Sequence, residues 1–279
     1  MTIRVPEPPL PIYRPPPAVL RNQRWRWAAS ATVLLIVALS LGGSEISLPR
    51  LTQGSVNIVH YLFGSAERPR SGYFPPDFSN GLVYLQQMLL TVKMAVVGTT
   101  GAVILAIPLS FLAARNTTPN RLTYQLTRRL LDLFRGVPLI VMALIFVAAV
   151  GLGPFPGILA LAIHTAGILG KLFAEGIENI DEGQVEAVRS SGAHPVQVLS
   201  HGVWPQIIPH LLSMTLYRFE SNVRDSTLLG IVGAGGIGYY ITEAIRGFDS
   251  RSASAILIII LSSVFLIDFL SAKLRERLS

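Results

Sequence analysis

The chain carries its clearest structural signals in one polar segment, which reads Glu178-Asn-Ile-Asp-Glu-Gly-Gln-Val-Glu-Ala-Val-Arg-Ser-Ser-Gly-Ala-His-Pro-Val-Gln-Val-Leu-Ser-His-Gly-Val-Trp-Pro-Gln-Ile-Ile-Pro-His210. Asp181 is a residue type that caps helix N-termini, and Gln184 follows where its side chain can complete the cap. Gly192 suits the end of that helix because glycine accepts a left-handed backbone. Pro195 can open a second helix in its first turn. The segment therefore predicts two short helices that meet at a tight corner between Gly192 and Pro195.

The sequence on either side of this segment is typical of a membrane protein. Of its 279 residues, 51% are hydrophobic and only 14% are charged, whereas charged residues make up about 25% of a soluble domain. Cysteine is absent, which excludes disulfide bonds and thiolate metal sites. The net charge of +7 fits a membrane protein, because Lys and Arg are enriched in the cytoplasmic loops of such proteins. No basic face with interleaved aromatic residues accompanies it, so nucleic acid is not an expected partner.

Six apolar segments predict about six transmembrane helices. They lie at about 27–43, 85–114, 136–152, 157–173, from near His210 onward, and at 253–272. A signal peptide is the alternative for the first, but the proline-rich lead and the lack of a clear cleavage site favour an uncleaved helix. Six spans place 14 Lys and Arg residues on the side of the N-terminus and 5 on the other side. This asymmetry predicts that both termini and the polar segment 174–209 face the cytoplasm.

The polar segment resembles the signature of ABC importer permeases, which runs Glu-Ala-Ala, three residues, Gly, nine residues, then Ile-x-Leu-Pro. Glu186, Ala187, Gly192 and Pro205 stand at the matching positions. The chain departs from the signature at three positions, which are Val188 for the second Ala, Gly202 for the Ile and Trp204 for the Leu. In the family this loop is a coupling helix that docks in a groove of the ATP-binding subunit. The resemblance implies the same role for the four matching residues, and an ordinary amphipathic loop packed on its own bundle is the alternative.

The fifth predicted helix, at 211–230, carries four charged side chains in an apolar context. Charges in a membrane span usually face protein or a water path. At 100° per residue, two polar faces result: Arg218, Asn222 and Asp225 on one side, and Glu220, Arg224 and Thr227 on the other. A helix with charges on both faces must be buried by protein, line a cavity or be interrupted.

Three interpretations of these charges remain open at the level of sequence. Glu220 and Arg224 are spaced to form an i, i+4 ion pair that braces the helix. Alternatively, Arg218 or Arg224 lies in the translocation path, where a guanidinium fork suits an oxyanion. A third interpretation puts the N-terminal part at the cytoplasmic surface, with the true span starting nearer Thr227.

The glycine-rich stretch that follows, Gly230-Ile-Val-Gly-Ala-Gly-Gly-Ile-Gly238, contains the spacing G-x-G-x-x-G. A dinucleotide site is rejected because that motif needs a preceding strand in a βαβ unit. We expect these glycines to allow close helix packing or a break in the span. From Glu220 to Gly238 the sequence resembles phosphonate-type permeases. The resemblance implies phosphonate, phosphite or phosphate as the solute, and the candidate path residues are Arg218, Glu220, Asn222, Arg224, Asp225 and Ser226.

The resemblance implies an all-α type I ABC importer permease in a bacterial inner membrane, where it is multi-pass. Two copies form a homodimer, with two ATP-binding subunits below and a periplasmic or lipid-anchored solute-binding protein outside. The resemblance also implies that ATP and magnesium bind to the ATP-binding subunit, and the chain itself has no Walker sequence, no paired metal ligands and no nucleophile elbow. The chain then divides into a proline-rich cytoplasmic tail at 1–26, a first transmembrane helix with a periplasmic amphipathic segment at 27–80, and the permease core at 81–279, with the coupling loop at 178–210.

Two other functions would fit a membrane protein of this size. A secondary anion transporter often shows repeated halves with matching broken helices, and the sequence has no such repeat. An intramembrane enzyme needs convergent catalytic groups at one depth, and only the fifth helix offers any. Transport that persists without an ATP-binding partner would favour the first. Turnover of a lipid-linked substrate by the purified chain would favour the second.

Overall fold

A computed structural model describes residues 17–43, 54, 58–59, 62–64 and 72–277. Most of the predicted proline-rich tail and of the predicted amphipathic segment after the first helix lies outside the described residues. The chain forms two compact units, Met1–Val59 and His60–Ser279. In the first unit, α1 spans Pro17–Gly43. Its apolar part is Trp25–Leu41, which coincides with the first predicted span.

The second unit is helical throughout its described residues, without a β-strand. Its helices are α2 (Gly81–Ala113), α3 (Arg121–Gly136), α4 (Leu139–Val150), α5 (Pro154–Glu178), α6 (Glu182–Ser190), α7 (Pro195–Gln197), α8 (Trp204–Leu229), α9 (Ile237–Arg246) and α10 (Ser250–Arg275). A π-helical turn at Val198–Val203 leads into α8, and a 3-10 turn at Gly230–Val232 follows it. Because every backbone group of a helix bonds within the segment, helices suit a chain that crosses lipid.

Three helices are long and apolar enough to cross a membrane, namely α2, α5 and α10. Two bent pairs bring the number of candidate spans in the described chain to five. One pair joins α3 to α4 at 87°, and the other joins the α7–α8 segment to α9 at 48°. The apolar part of α1, Trp25–Leu41, is shorter than the three long helices and is counted separately from the candidate spans. The six predicted spans therefore correspond to three to five candidate spans and this shorter helix.

The third predicted span, at about 136–152, contains the helix α4 (Leu139–Val150), which forms a candidate span only together with α3. The helix α4 has 12 residues, too few to cross the hydrocarbon alone. Val137 is extended, with φ −80° and ψ 124°, because the ring of Pro138 disfavours a helical backbone in the residue before it. The chain therefore bends at Val137, and the amphipathic helix α3 precedes the apolar helix α4.

Small residues set the distances between the central helices. A Cβ on Gly98 of α2 would lie 2.8 Å from Leu161 Cβ of α5, and one on Gly101 would lie 3.3 Å from Ala162 Cβ. Leu131 of α3 packs against Gly170 of α5. A Cβ on Gly170 would lie 2.6 Å from the leucine side chain. Close approach at small residues is how helices associate in lipid, where the hydrophobic effect does not drive them together.

Candidate functional site

The polar segment forms the predicted corner, with α6 and α7 as its two short helices. Asp181 caps α6 by accepting a hydrogen bond from the Gly183 backbone N–H at 2.9 Å. Gly192 has φ +79°, the left-handed backbone that glycine adopts without strain. His194 caps α7, and the Gln197 side chain accepts from the His194 N–H at 2.8 Å. The predicted corner between Gly192 and Pro195 is confirmed, and its second helix continues through the π-helical turn into α8.

The predicted partner of the first cap was wrong. The backbone N–H of Asp181 donates to Oε1 of Gln206, in α8, at 2.9 Å rather than to Gln184. The Gln206 amide also donates to the Gly202 carbonyl at 2.6 Å. The start of α6 is therefore fastened to the start of α8, across 25 residues of sequence.

Two departures from the family signature fit the local packing. A Cβ on Gly202 would lie 3.3 Å from Val185 Cα, so a small residue lets the turn before α8 approach the backbone of α6. Trp204 packs on Phe111 of α2 with 5.7 Å between ring centroids. The Trp204 side chain, which is larger than the Leu of the signature, thus contacts the end of α2. Gly202, two residues earlier, lies where a small residue fits best.

The four predicted coupling residues occupy exposed positions. Glu186, Ala187 and Gly192 are exposed at the corner, and Pro205 is exposed in the first turn of α8. α6 and α7 have no buried residue, and Val196 is 66% exposed. A groove of about 700 Å³ runs along this surface, and the lining includes Phe111, Val185, Glu186, Arg189, Leu199 and Val203. The corner thus exposes Glu186, Arg189 and Val196, while the apolar groove residues Val185, Leu199 and Val203 pack on the bundle.

Polar contacts fasten the base of the corner to the rest of the bundle. Oε1 of Glu178, the last residue of α5, accepts from the Arg128 guanidinium and from the Arg115 backbone N–H, both at 2.9 Å. The Asn116 side chain donates to the Ile177 carbonyl at 2.6 Å. The ends of α2, α3 and α5 are therefore held together where the corner begins.

The predicted ion pair between Glu220 and Arg224 does not form. Glu220 pairs with Arg275 at 2.6 Å, and the Arg224 guanidinium donates to both carboxylate oxygens of Asp268 at 3.0 Å. Both partners lie on α10, which packs against this face of α8. Sequence reasoning missed them, although a single Asp268 within the apolar segment 253–272 was a usable signal that a cation faces it.

Asn222 and Ser226 are fully buried and engaged in hydrogen bonds. The Asn222 amide donates to Thr99 Oγ1 of α2 at 2.8 Å and accepts from Thr165 Oγ1 of α5 at 3.0 Å. The Ser226 hydroxyl donates to the Asn222 carbonyl at 2.7 Å. These two predicted path residues lie in a polar seam that joins α2, α5 and α8.

Arg218 and Asp225 are the remaining members of the predicted set, and both are half-buried. They interact electrostatically with each other and with His164 of α5. The His164 ring hydrogen-bonds to the Val137 carbonyl at 3.2 Å, at the bend between α3 and α4. Arg218 Nε is buried without a hydrogen-bond partner among the described residues. The six predicted residues are thus divided between ion pairs to α10, a buried seam and this cluster. α8 is continuous past Thr227, so no break sets off its N-terminal part there.

The glycine-rich stretch both breaks the span and allows close packing, as expected. Gly233, Gly235 and Gly236 have φ of +92°, +76° and +72°, and they separate α8 from α9. A Cβ on Gly238 would lie 1.8 Å from the Thr227 carbonyl oxygen. In residues 72–277 no strand precedes this stretch. The described residues also contain no group of three His, Asp or Glu side chains placed to hold a metal ion.

Comparisons with known proteins agree with this geometry. The family described as "Binding-protein-dependent transport system inner membrane component" matches residues 106–279. The phosphite transport system permease protein PtxC of Stutzerimonas stutzeri is 46% identical over 202 residues, which cover 72% of this chain and 74% of that protein. The phosphate-import permease protein PhnE of Mycolicibacterium smegmatis is 40% identical over 226 residues, covering 81% of this chain and 41% of that protein.

A solved structure of the MetNI methionine ABC transporter, in an inward-facing conformation, superposes with a TM-score of 0.64 at 21% identity. The match covers 72% of this chain and 99% of the transporter chain. At that identity the likeness concerns the fold, which is the type I ABC importer permease fold. Together with the family match, these findings show that the chain belongs to the inner membrane components of binding-protein-dependent transport systems.

Proposed function

We propose that the chain forms the transmembrane path of an ATP-driven importer for phosphite, phosphonate or phosphate. In this proposal two copies associate as a homodimer in the bacterial inner membrane, with both termini in the cytoplasm. The exposed corner of α6 and α7 carries the proposal, since neither helix has a buried residue and charged side chains stand there beside the exposed Val196. A separate ATP-binding subunit, which holds ATP and magnesium, is the partner that would cover it, and a solute-binding protein delivers the anion from outside.

The contacts at the corner suit the transmission of a movement. A docked ATP-binding subunit contacts Glu186, Ala187 and Gly192, and its closure on ATP displaces the corner. The bond between Asp181 and Gln206 carries that displacement to α8, while Glu178 carries it to α2 and α3. Helices held at a packed interface move as units rather than bending continuously. The path then opens outward, and release of ADP and phosphate restores the inward-open state.

The choice of solute rests on the relatives and on the chemistry of α8. The two curated relatives compared above are named as phosphite and phosphate permeases. An arginine guanidinium presents donors in a planar fork that matches the oxygens of such anions. Of the six candidate path residues, Glu220, Asn222, Arg224 and Ser226 are engaged with other side chains or the backbone. We therefore place the path beside Arg218 and Asp225.

The test is co-purification of the tagged chain from its native membrane with and without Gly192→Pro. Proline fixes φ near −65°, which is incompatible with the φ of +79° at this position. An ATP-binding subunit is expected with the wild type and not with the variant. Gly136→Ala is the matched control, because a Cβ there meets nothing within 4 Å.

ATPase activity in the co-purified complex is then measured with phosphite, methylphosphonate and phosphate. Stimulation by at least one of them is expected. If the wild type brings down no ATP-binding subunit in mild detergent, the importer proposal fails. Transport by the isolated chain would then identify it as a secondary transporter.

A further inference from the structure

The charges of α8 are not all balanced in the same way. Glu220 and Arg224 each have an opposite charge at hydrogen-bond distance on α10. In contrast, no carboxylate of residues 72–277 lies within ion-pair distance of the Arg218 guanidinium, and its Nε is buried without a hydrogen bond to any described residue. A guanidinium in a membrane bundle is costly to leave without acceptors. Arg218 therefore has, within the described chain, a buried N–H without an acceptor and no carboxylate at ion-pair distance, whereas the charge of Arg224 is paired through its Nη1 with Asp268.

The surroundings of Arg218 form a small polar cluster. Asp225 lies seven residues on, on the same face of α8, and both are half-buried. His164 approaches from α5, held by its hydrogen bond to the Val137 carbonyl. Asp225 interacts electrostatically with both Arg218 and His164. The Asp225 carboxylate thus partly offsets the charge of Arg218, but it lies too far away to accept hydrogen bonds from the guanidinium.

We propose that Arg218 is the residue that contacts the phosphorus oxyanion in the path, and that Asp225 is an internal counter-ion that weakens this contact. The inference rests on the proposed function and goes further by assigning opposite effects to the two residues. The anion supplies the acceptor oxygens that Arg218 lacks. The repulsion from Asp225 keeps the complex from becoming too stable, because a transport path needs binding strong enough for entry and weak enough for release.

The arrangement around Arg224 argues for a structural role there. Its guanidinium already donates to both oxygens of Asp268 at 3.0 Å. This pair joins α8 to α10 and leaves the local charge balanced. Asp268 is consequently a matched comparison for Asp225, since each carboxylate offsets one arginine of α8 and only Asp225 is predicted to face the anion.

The experiment uses the full complex with its ATP-binding and solute-binding subunits in proteoliposomes. Uptake of phosphite, methylphosphonate and phosphate is measured separately for the wild type and for Arg218→Gln, Arg218→Lys, Asp225→Asn and Asp268→Asn. Because a charge-assisted hydrogen bond contributes about 1.5–3 kcal/mol, Arg218→Gln is expected to lower uptake about 10- to 100-fold. Arg218→Lys keeps the positive charge but lacks the planar guanidinium. Its uptake is expected to lie between that of the wild type and that of Arg218→Gln.

Asp225→Asn is expected to lower the half-saturating anion concentration about 10-fold and to lower the maximal rate as well, since release becomes slow. Asp268→Asn is expected to leave the half-saturating concentration unchanged. If Arg218→Gln takes up the anions as the wild type does, the assignment is overturned. An unchanged half-saturating concentration in Asp225→Asn also overturns it. The Asp225→Asn result can be used even if Arg218→Gln does not fold.

Co-purification of the ATP-binding subunit with each variant separates the two proposals. If the subunit is absent even from the wild type, the importer proposal has failed. If it is present and uptake does not depend on Arg218, only the present inference has failed. A complex that assembles but moves none of the three anions overturns both the solute class and the role of Arg218.

Discussion

The corner of α6 and α7 and the polar seam of α2, α5 and α8 are built in opposite ways. The hydrogen bonds that cap the corner join residues two or three positions apart in the sequence. Those of the seam join Asn222 to Thr165 across 57 residues and to Thr99 across 123. The corner is exposed, whereas Thr165 and Asn222 are fully buried. Under the proposed function, a locally capped corner would keep its shape while it docks to a partner, and the seam would keep the spans together while the corner moves.

The two regions should consequently respond differently to substitution. A change in the seam or in the packing around it removes contacts that depend on the whole bundle, so it should lower global stability. A change to a local cap of the corner leaves the buried seam and the bond from Asp181 to Gln206 in place, so it should lower coupling and leave the melting temperature nearly unchanged. Measurements on the two kinds of variant test the comparison directly.

The largest effect is expected for Gly238→Ala. The added Cβ would lie 1.8 Å from the Thr227 carbonyl oxygen and 3.0 Å from Gly230 Cα, and backbone atoms cannot move aside as a side-chain end can. We expect a loss of about 3 kcal/mol in the free energy of unfolding, the upper part of the usual range for overpacking. The check is the melting temperature of the purified chain. Gly81→Ala is the control, since its Cβ would be 3.7 Å from the nearest atom, in Phe78.

A smaller effect is expected from the two ion pairs between α8 and α10. The Glu220 side chain is 8% exposed and that of Arg275 is 29% exposed, against 45% and 42% for Arg224 and Asp268. Double-mutant cycles with Gln and Asn replacements should give a coupling free energy of about 1–2 kcal/mol for the first pair. The second should give about 0.6 kcal/mol, the average measured for polar contacts between membrane helices. Equal coupling energies would contradict the view that α10 is held mainly at Glu220.

Sequence reasoning succeeded where structure depends on neighbours in the chain. The corner followed from capping residues and from Gly192, and the break after α8 followed from its glycines. The span pattern followed from apolar length. In each case the physical cause acts within a few residues, so the sequence contains it in readable form.

Sequence reasoning failed where a partner comes from another helix. Helical spacing favoured a Glu220–Arg224 pair, yet each side chain met an opposite charge on α10, 55 and 44 residues away. The same limit applies to the cap of α6, whose second partner is Gln206. Among the candidate path residues, spacing put Arg218, Asn222 and Asp225 on one face of α8. It could not show that the Asn222 side chain hydrogen-bonds to two threonines, whereas Arg218 Nε has no acceptor among the described residues.

The smallest effect on stability, and the sharpest test of the corner, is expected for Asp181→Ala. Loss of an N-cap costs a helix about 1 kcal/mol, and here the bond lost is the one from the Gly183 N–H at 2.9 Å. Amide exchange at Gly183 should become about fivefold faster, because 1 kcal/mol corresponds to roughly that factor. Asp181→Asn keeps an acceptor and should exchange as the wild type does. The melting temperature of Asp181→Ala should stay close to that of the wild type, while less ATP-binding subunit co-purifies. If this exposed substitution lowers the melting temperature as much as Gly238→Ala does, the corner is part of the cooperative bundle, and the distinction between the two regions is wrong.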